Sequence, residues 1–146
     1  MRTISLAFAV LSLFLVSFVN ASDRVELAIS GYDVVSYFTE KKPVQGESRF
    51  QTEWNGRVWH FSSQHNLALF KEEPERYEPR FDGHCANGLS DGHLVTANPK
   101  IYRIIDGQLY LFFSWWGKAQ WAVDQQEQIE LAEYWWSEFN EGATTH

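Results

Sequence analysis

Phe50-Gln51-Thr52-Glu53-Trp54-Asn55-Gly56-Arg57-Val58-Trp59-His60-Phe61 decides how this chain must fold. Two runs of strand character flank Asn55-Gly56, a dipeptide that tolerates the positive φ needed at both central positions of a two-residue hairpin turn. Pairing outward sets Trp54 against Arg57, Thr52 against Trp59 and Phe50 against Phe61. These residues share the core face, and Gln51, Glu53, Val58 and His60 take the other. Farther along, residues 101–105 and 108–112 flank Asp106-Gly107 in the same manner. That second pair is apolar on both faces, which predicts strands central in a sheet.

Helical patterns occupy much of the remainder. Asp33 is suited to cap a short turn that buries Val34, Tyr37 and Phe38. Ser62 or Ser63 starts a helix with Leu67 and Phe70 inward, and Pro74-Glu75-Arg76-Tyr77-Glu78-Pro79 turns the chain after it. Residues 115–123 and 125–139 read as helices, the second with Ile129, Ala132, Trp136 and Phe139 on one face. Residues 41–46 and 80–92 read as loops from their Gly, Pro and polar content. The letters show no internal repeat. The expected fold is α+β, a small single domain with two antiparallel β-hairpins packed against short helices and a C-terminal helical segment. It spans residues 22–139, and 140–146 is expected to be a flexible tail.

The N-terminal stretch is expected to stay out of that fold. Arg2 precedes an apolar run from Ile4 to Val19, interrupted only by Ser5, Ser12 and Ser17. Val19-Asn20-Ala21 then supplies a peptidase site, so residues 1–21 read as a signal peptide cut after Ala21. The run is shorter than the roughly 20 residues that span a bilayer, which favours cleavage over an anchor. No cysteine follows the cut to carry a lipid. The protein is therefore expected in the periplasm or secreted, with no membrane attachment after cleavage.

The formal charge is -7, which disfavours nucleic acid and anionic lipid as partners. Cys85 is the one cysteine, so no internal disulfide forms; the thiol is free, bound to a metal or small thiol, or joined to another chain. Aromatic residues make up 16% of the chain and can supply the packing that disulfides do not.

Several segments resemble the exported YHS-domain family. Gly31-Tyr32-Asp33-Val34-Val35-Ser36-Tyr37-Phe38 is similar to its Gly-Tyr-Asp-Pro-Val-Ala-Tyr-Phe opening. The run Trp54 to Ser63, continuing through Phe70 to Pro74-Glu75-Arg76-Tyr77, resembles its hairpin, helix and Pro-x-x-Tyr. Phe81-Asp82-Gly83-His84-Cys85-Ala86-Asn87-Gly88 is similar to Tyr-Gly-Gly-Tyr-Cys-Ala-Tyr-Gly, and Asp106 to Leu111 resembles the second hairpin. The resemblance implies metal handling, in versions that use one cysteine near the domain start and a Cys-x-x-x-Cys-like pair after the hairpin. This chain departs there. Ser62 and Asn66 stand at the pair, and Val35 or Ser36 stands near the start, so the four-sulfur site of those versions cannot form.

Cys85 and its neighbours are the remaining place for such chemistry. Asp82, His84 and Cys85 lie in a Gly-rich segment, His93 follows, and His65 at the start of the first long helix offers a further ligand. Thiolate with imidazole suits copper or zinc. The expected function is an exported YHS-like binding domain that handles copper or zinc through these five residues. A second reading is a module that binds a small ligand or an exported protein through exposed aromatics, since Trp115-Trp116 and Trp135-Trp136 are adjacent pairs whose members diverge on a helix. A thiol-dependent enzyme, with Cys85 beside His84 and Asp82 or Asp91, is a third. Oligomeric state is left open.

Overall fold

A computed structural model of the protein describes residues 25–143. The expected signal peptide and residues 144–146 lie outside them. The first hairpin forms from β2 (Glu47–Trp54) and β3 (Arg57–Phe61), with Trp54 opposite Arg57 and Thr52 opposite Trp59 as the turn requires. A bulge then shifts the register, so Glu47 rather than Phe50 faces Phe61. Such an insertion bends and twists the strand. β1 (Glu26–Leu27) adds to β3 in parallel, giving the order β1-β3-β2. Helix α1 (Ser36–Thr39) precedes this hairpin, and α2 (Gln64–Glu72) follows it with Leu67 and Phe70 buried against Trp59 and Phe61. A short turn of helix, α3 (Pro74–Tyr77), completes this half and buries Tyr77.

The second half corrects two expectations. Residues 80–92 are not simply a loop: they hold α4 (Ala86–Ser90), with Ala86, Leu89 and Ser90 buried. The apolar hairpin, β4 (Asn98–Ile105) and β5 (Gln108–Phe112), is a separate two-stranded sheet and not the centre of a larger one. Both its faces are apolar because both are covered. Ile101, Tyr110 and Phe112 join Phe81, Leu89, Trp121 and Ala132 in one core, while Leu109 and Leu111 pack on Tyr37 of α1. Helices α5 (Trp115–Trp121) and α6 (Gln125–Ala143) follow, and α6 continues through residues 140–143, which were expected as tail. The expected face of α6 turns inward: Ala132 is buried, and Ile129, Trp136 and Phe139 pack on the core. No helix of the described residues is long and apolar enough to cross a membrane.

Set side by side, residues 26–72 and 78–121 are one backbone unit used twice. Each opens on a short parallel pairing with its own hairpin, Leu27 with Val58 and Pro79 with Leu109. Each then makes a left-handed corner: φ is 50, 52 and 80° at Ile29, Ser30 and Gly31, and 56, 54 and 81° at Phe81, Asp82 and Gly83. An antiparallel bridge follows, Tyr32 with Gln45 and His84 with Thr96. The hairpins have equal strand lengths and the same bulge: Glu47 and Asn98 face Phe61 and Phe112, while Gln51 and Tyr102 face His60 and Leu111. Ser63 and Ser114 cap the helices that leave them, each accepting a backbone N–H three residues on. Trp59, Phe61 and Phe70 in one core therefore match Tyr110, Phe112 and Trp121 in the other. The repeat escapes the letters because the matched positions that share a residue type, such as Gly31 and Gly83, Gly56 and Gly107, Phe61 and Phe112, and Ser63 and Ser114, are scattered among many that do not, although the backbone is shared.

The units meet at Tyr37, which is fully buried and donates its hydroxyl to the Pro99 carbonyl at 2.6 Å. Burial first, then the neighbouring Tyr32, Tyr102 and Asp33, pushes the Tyr37 phenol well above its usual range. The folded chain then keeps a proton that the unfolded chain releases near pH 10, so this contribution is intact below about pH 10 and is lost as pH rises above it. Tyr37→Phe is expected to cost about 1 kcal/mol at neutral pH, the net value of one hydrogen bond. It should also flatten the decline of stability above about pH 10, as urea unfolding at neutral and alkaline pH would measure.

Candidate functional site

The most polar buried point in the fold lies in the first unit. Asp33 is fully buried, yet its carboxylate accepts hydrogen bonds from three directions. Oδ1 receives the backbone N–H of Val35 at 2.9 Å and of Ser36 at 3.3 Å, which caps the turn of α1. Oδ2 receives the Ser62 backbone N–H at 2.8 Å, the Ser62 hydroxyl at 2.6 Å and the Asn66 side-chain amide at 2.7 Å. Five donors on two oxygens use up the roughly four lone-pair sites of a carboxylate and leave nothing for any other ligand. Capping was foreseen for Asp33; its bonds to Ser62 and Asn66 were not. They depend on β3 ending beside the start of α1, a contact between residues far apart in sequence.

Cys85 holds the matching place in the second unit. It is 4% exposed and sits among Phe81, Ala86, Leu89, Tyr110 and Phe112. Its Sγ accepts the Gly88 N–H at 3.4 Å, capping α4, and the Phe113 N–H at 3.2 Å. Phe113 is the counterpart of Ser62, so the thiol makes the same tie from helix head to hairpin exit. Such a thiol is not open to a substrate, which removes the geometric basis for nucleophilic chemistry.

The other residues expected around Cys85 are dispersed. His84 sets Nδ1 2.9 Å from the Phe81 carbonyl and packs its ring on Trp136. Asp82 is held by Arg57 of the other unit, through Nη1 to Oδ1 at 2.7 Å and through a contact of Nη2 with Oδ2. His65 and His93 are exposed. Among the described residues no group of three or more His, Cys, Asp or Glu side chains is placed to hold a metal ion. Ser62 and Asn66, the positions expected from the resemblance to stand at a ligand pair, instead give hydrogens to Asp33. The residues present do not fit a soft metal at either location.

What remains for recognition is on the surface. Phe113, Trp115 and Trp116 are 62, 64 and 73% exposed where β5 passes into α5. Lys118 places its ammonium 5.2 Å from the Trp115 ring. Partial burial, then Arg103, pulls the Lys118 pKa down. Trp135 and Trp136, the other adjacent pair, are both half-buried: Trp135 covers Gly92, and Trp136 packs on Phe81 and His84. Helix divergence thus separates neither pair into one inner and one outer ring. A cleft of about 110 Å³ between the units, lined by Glu26, Arg57, Asp82 and His84 among others, has room for little beyond solvent.

A hairpin, a Ser-capped helix and a Pro-initiated turn, preceded by a left-handed corner and a capped helical turn, define a small mixed helix-and-strand module. Residues 35–80 match the YHS domain, so a YHS domain is found in the first unit, ending where the second begins its own corner. No curated protein and no solved structure matches the chain.

Proposed function

We propose that this protein is an exported YHS-type binding module that docks onto a partner in the cell envelope or outside the cell through the aromatic ledge Phe113, Trp115 and Trp116. One observation carries the reading. The first unit has Ser62, Gln64 and His65 at the three matching positions, on the same backbone and beside the same serine cap. Polar residues therefore satisfy this corner of the fold, and three large exposed rings in the second copy are not needed for folding. Exposed aromatic clusters of this kind mark contact surfaces, where rings supply most of the binding energy. Export rests on the apolar run before Ala21. Copper or zinc held by Cys85, His84, His93, His65 and Asp82 is the weaker reading, because the geometry gives those side chains no common point.

The test copies one unit onto the other. Phe113→Ser, Trp115→Gln and Trp116→His together are expected to leave unfolding free energy within about 0.5 kcal/mol of the parent, as for ordinary surface changes. A photo-reactive phenylalanine at position 116 should give one discrete cross-linked product in cells of the host, and the same probe at position 65 should give none. Adding Phe113→Ser and Trp115→Gln should remove that product. Equal labelling from both positions, or a large loss of stability in the triple variant, would count against the ledge.

A further inference from the structure

Each unit brings three positions to one point, and their occupants differ. In the first, Ser62 and Asn66 send side-chain donors to Asp33. In the second the matching positions are Phe113, Gly117 and Cys85: Phe113 offers only its backbone N–H, and Gly117 has no side chain to send. We infer that residues 78–121 are a second, diverged copy of the YHS-type unit, and that both copies have exchanged metal ligation for a hydrogen-bonded anchor. Asp33 serves in one and Cys85 in the other. Each anchor ties the head of the first helix to the exit of the hairpin. The hydrogen bonds exclude a cation there. Every group aimed at either anchor atom is an N–H or O–H donor, whose positive end repels a cation, and the anchor's lone pairs are already engaged.

This has a constructive consequence. The second copy keeps a thiol at the anchor and lacks only ligating side chains at positions 113 and 117, which are Phe and Gly. A Cβ added at Gly117 would meet the Asn87 amide at 3.3 Å, a movable side-chain end. The double variant Phe113→Cys/Gly117→Cys should therefore create a three-thiolate site with Cys85, suited to zinc or cobalt(II).

Under reducing conditions, cobalt(II) titration of that variant should give a one-to-one complex with an intense thiolate-to-cobalt absorption band and a raised Tm, and Cys85→Ala in the same background should abolish the band. A variant with native circular dichroism and no such band would overturn the equivalence. The wild-type protein supplies an arm that needs no new fold. Its Tm should be the same in excess chelator and with one equivalent of zinc. A zinc-induced rise that Cys85→Ala removes would overturn the exchange of metal for hydrogen bonds. Neither readout involves a ledge partner, so failure here leaves the ledge to its own test.

Discussion

Asp33→Ala is expected to lower the unfolding free energy by about 3–5 kcal/mol, because it leaves several neutral donors unsatisfied at about 1–3 kcal/mol for each one that stays buried. The substitution deletes the acceptor for five donors: the N–H groups of Val35, Ser36 and Ser62, the Ser62 hydroxyl and the Asn66 amide. The Val35, Ser36 and Asn66 donors cannot turn to water without opening the unit, because all three residues are buried, and only the half-buried Ser62 has solvent within reach. Asp33→Asn tests the charge separately. It keeps the volume but brings an NH₂ group among donors, so one oxygen's bonds become repulsive contacts, and a loss of about 2–3 kcal/mol follows from unsatisfied buried groups. Urea unfolding of the two variants distinguishes the explanations. If both fell by less than about 1 kcal/mol, the carboxylate would be a passenger in a unit held by its apolar core, and the anchor role would be lost with it.

Elements defined by neighbours in sequence were legible, and those defined by distant contacts were not. Asn55-Gly56 and Asp106-Gly107 announced both turns because the positive φ they accept is a property of two adjacent residues. Ser63 and the inward Leu67 and Phe70 were readable for the same reason. The bulge that moves Phe50 off Phe61 leaves no local mark. The apolar second hairpin suggested a central strand because its pattern reports burial on both faces and not what does the burying; Tyr37 and Trp121 do it, from opposite ends of the chain. Helix α4 was hidden by Gly83, Gly88 and Gly92, which read as loop residues although Gly88 lies inside the helix. At the candidate site, Ser62 and Asn66 stood out only through the resemblance. Their common target was not legible, since Asp33 had a sufficient local explanation as a cap.

Gly46→Ala is expected to destabilise the protein by about 3 kcal/mol, at the upper end of overpacking costs. Gly46 lies in a stretch that reads as an ordinary Lys-Pro-Gly loop, and its φ is not in the left-handed region. Backbone conformation is therefore not what requires glycine. The second unit makes the point independently, because Ala97 follows Thr96 as Gly46 follows Gln45, each just past the bridge to its own corner. Contact alone decides. A Cβ on Gly46 would sit 2.6 Å from the His60 carbonyl carbon and 2.7 Å from its oxygen, both backbone atoms of β3. No rotamer change relieves that clash, so β3 or the segment entering β2 must move, and with it the Gly46 N–H bond to Gly31 that closes the first corner. Gly83→Ala offers the contrast. Its Cβ would approach the Cδ1 tip of Ile29 at 2.6 Å, and a side-chain tip can turn away. The cost there is mainly the left-handed φ of 81°, about 1–2 kcal/mol. Thermal and urea unfolding should therefore rank Gly46→Ala as the more damaging, although only Gly83 has the dihedral angle that ordinarily identifies an indispensable glycine. The reverse order would mean that the hairpin has slack at His60, and that the first unit is held less tightly at its entry than at the corner where it meets the second.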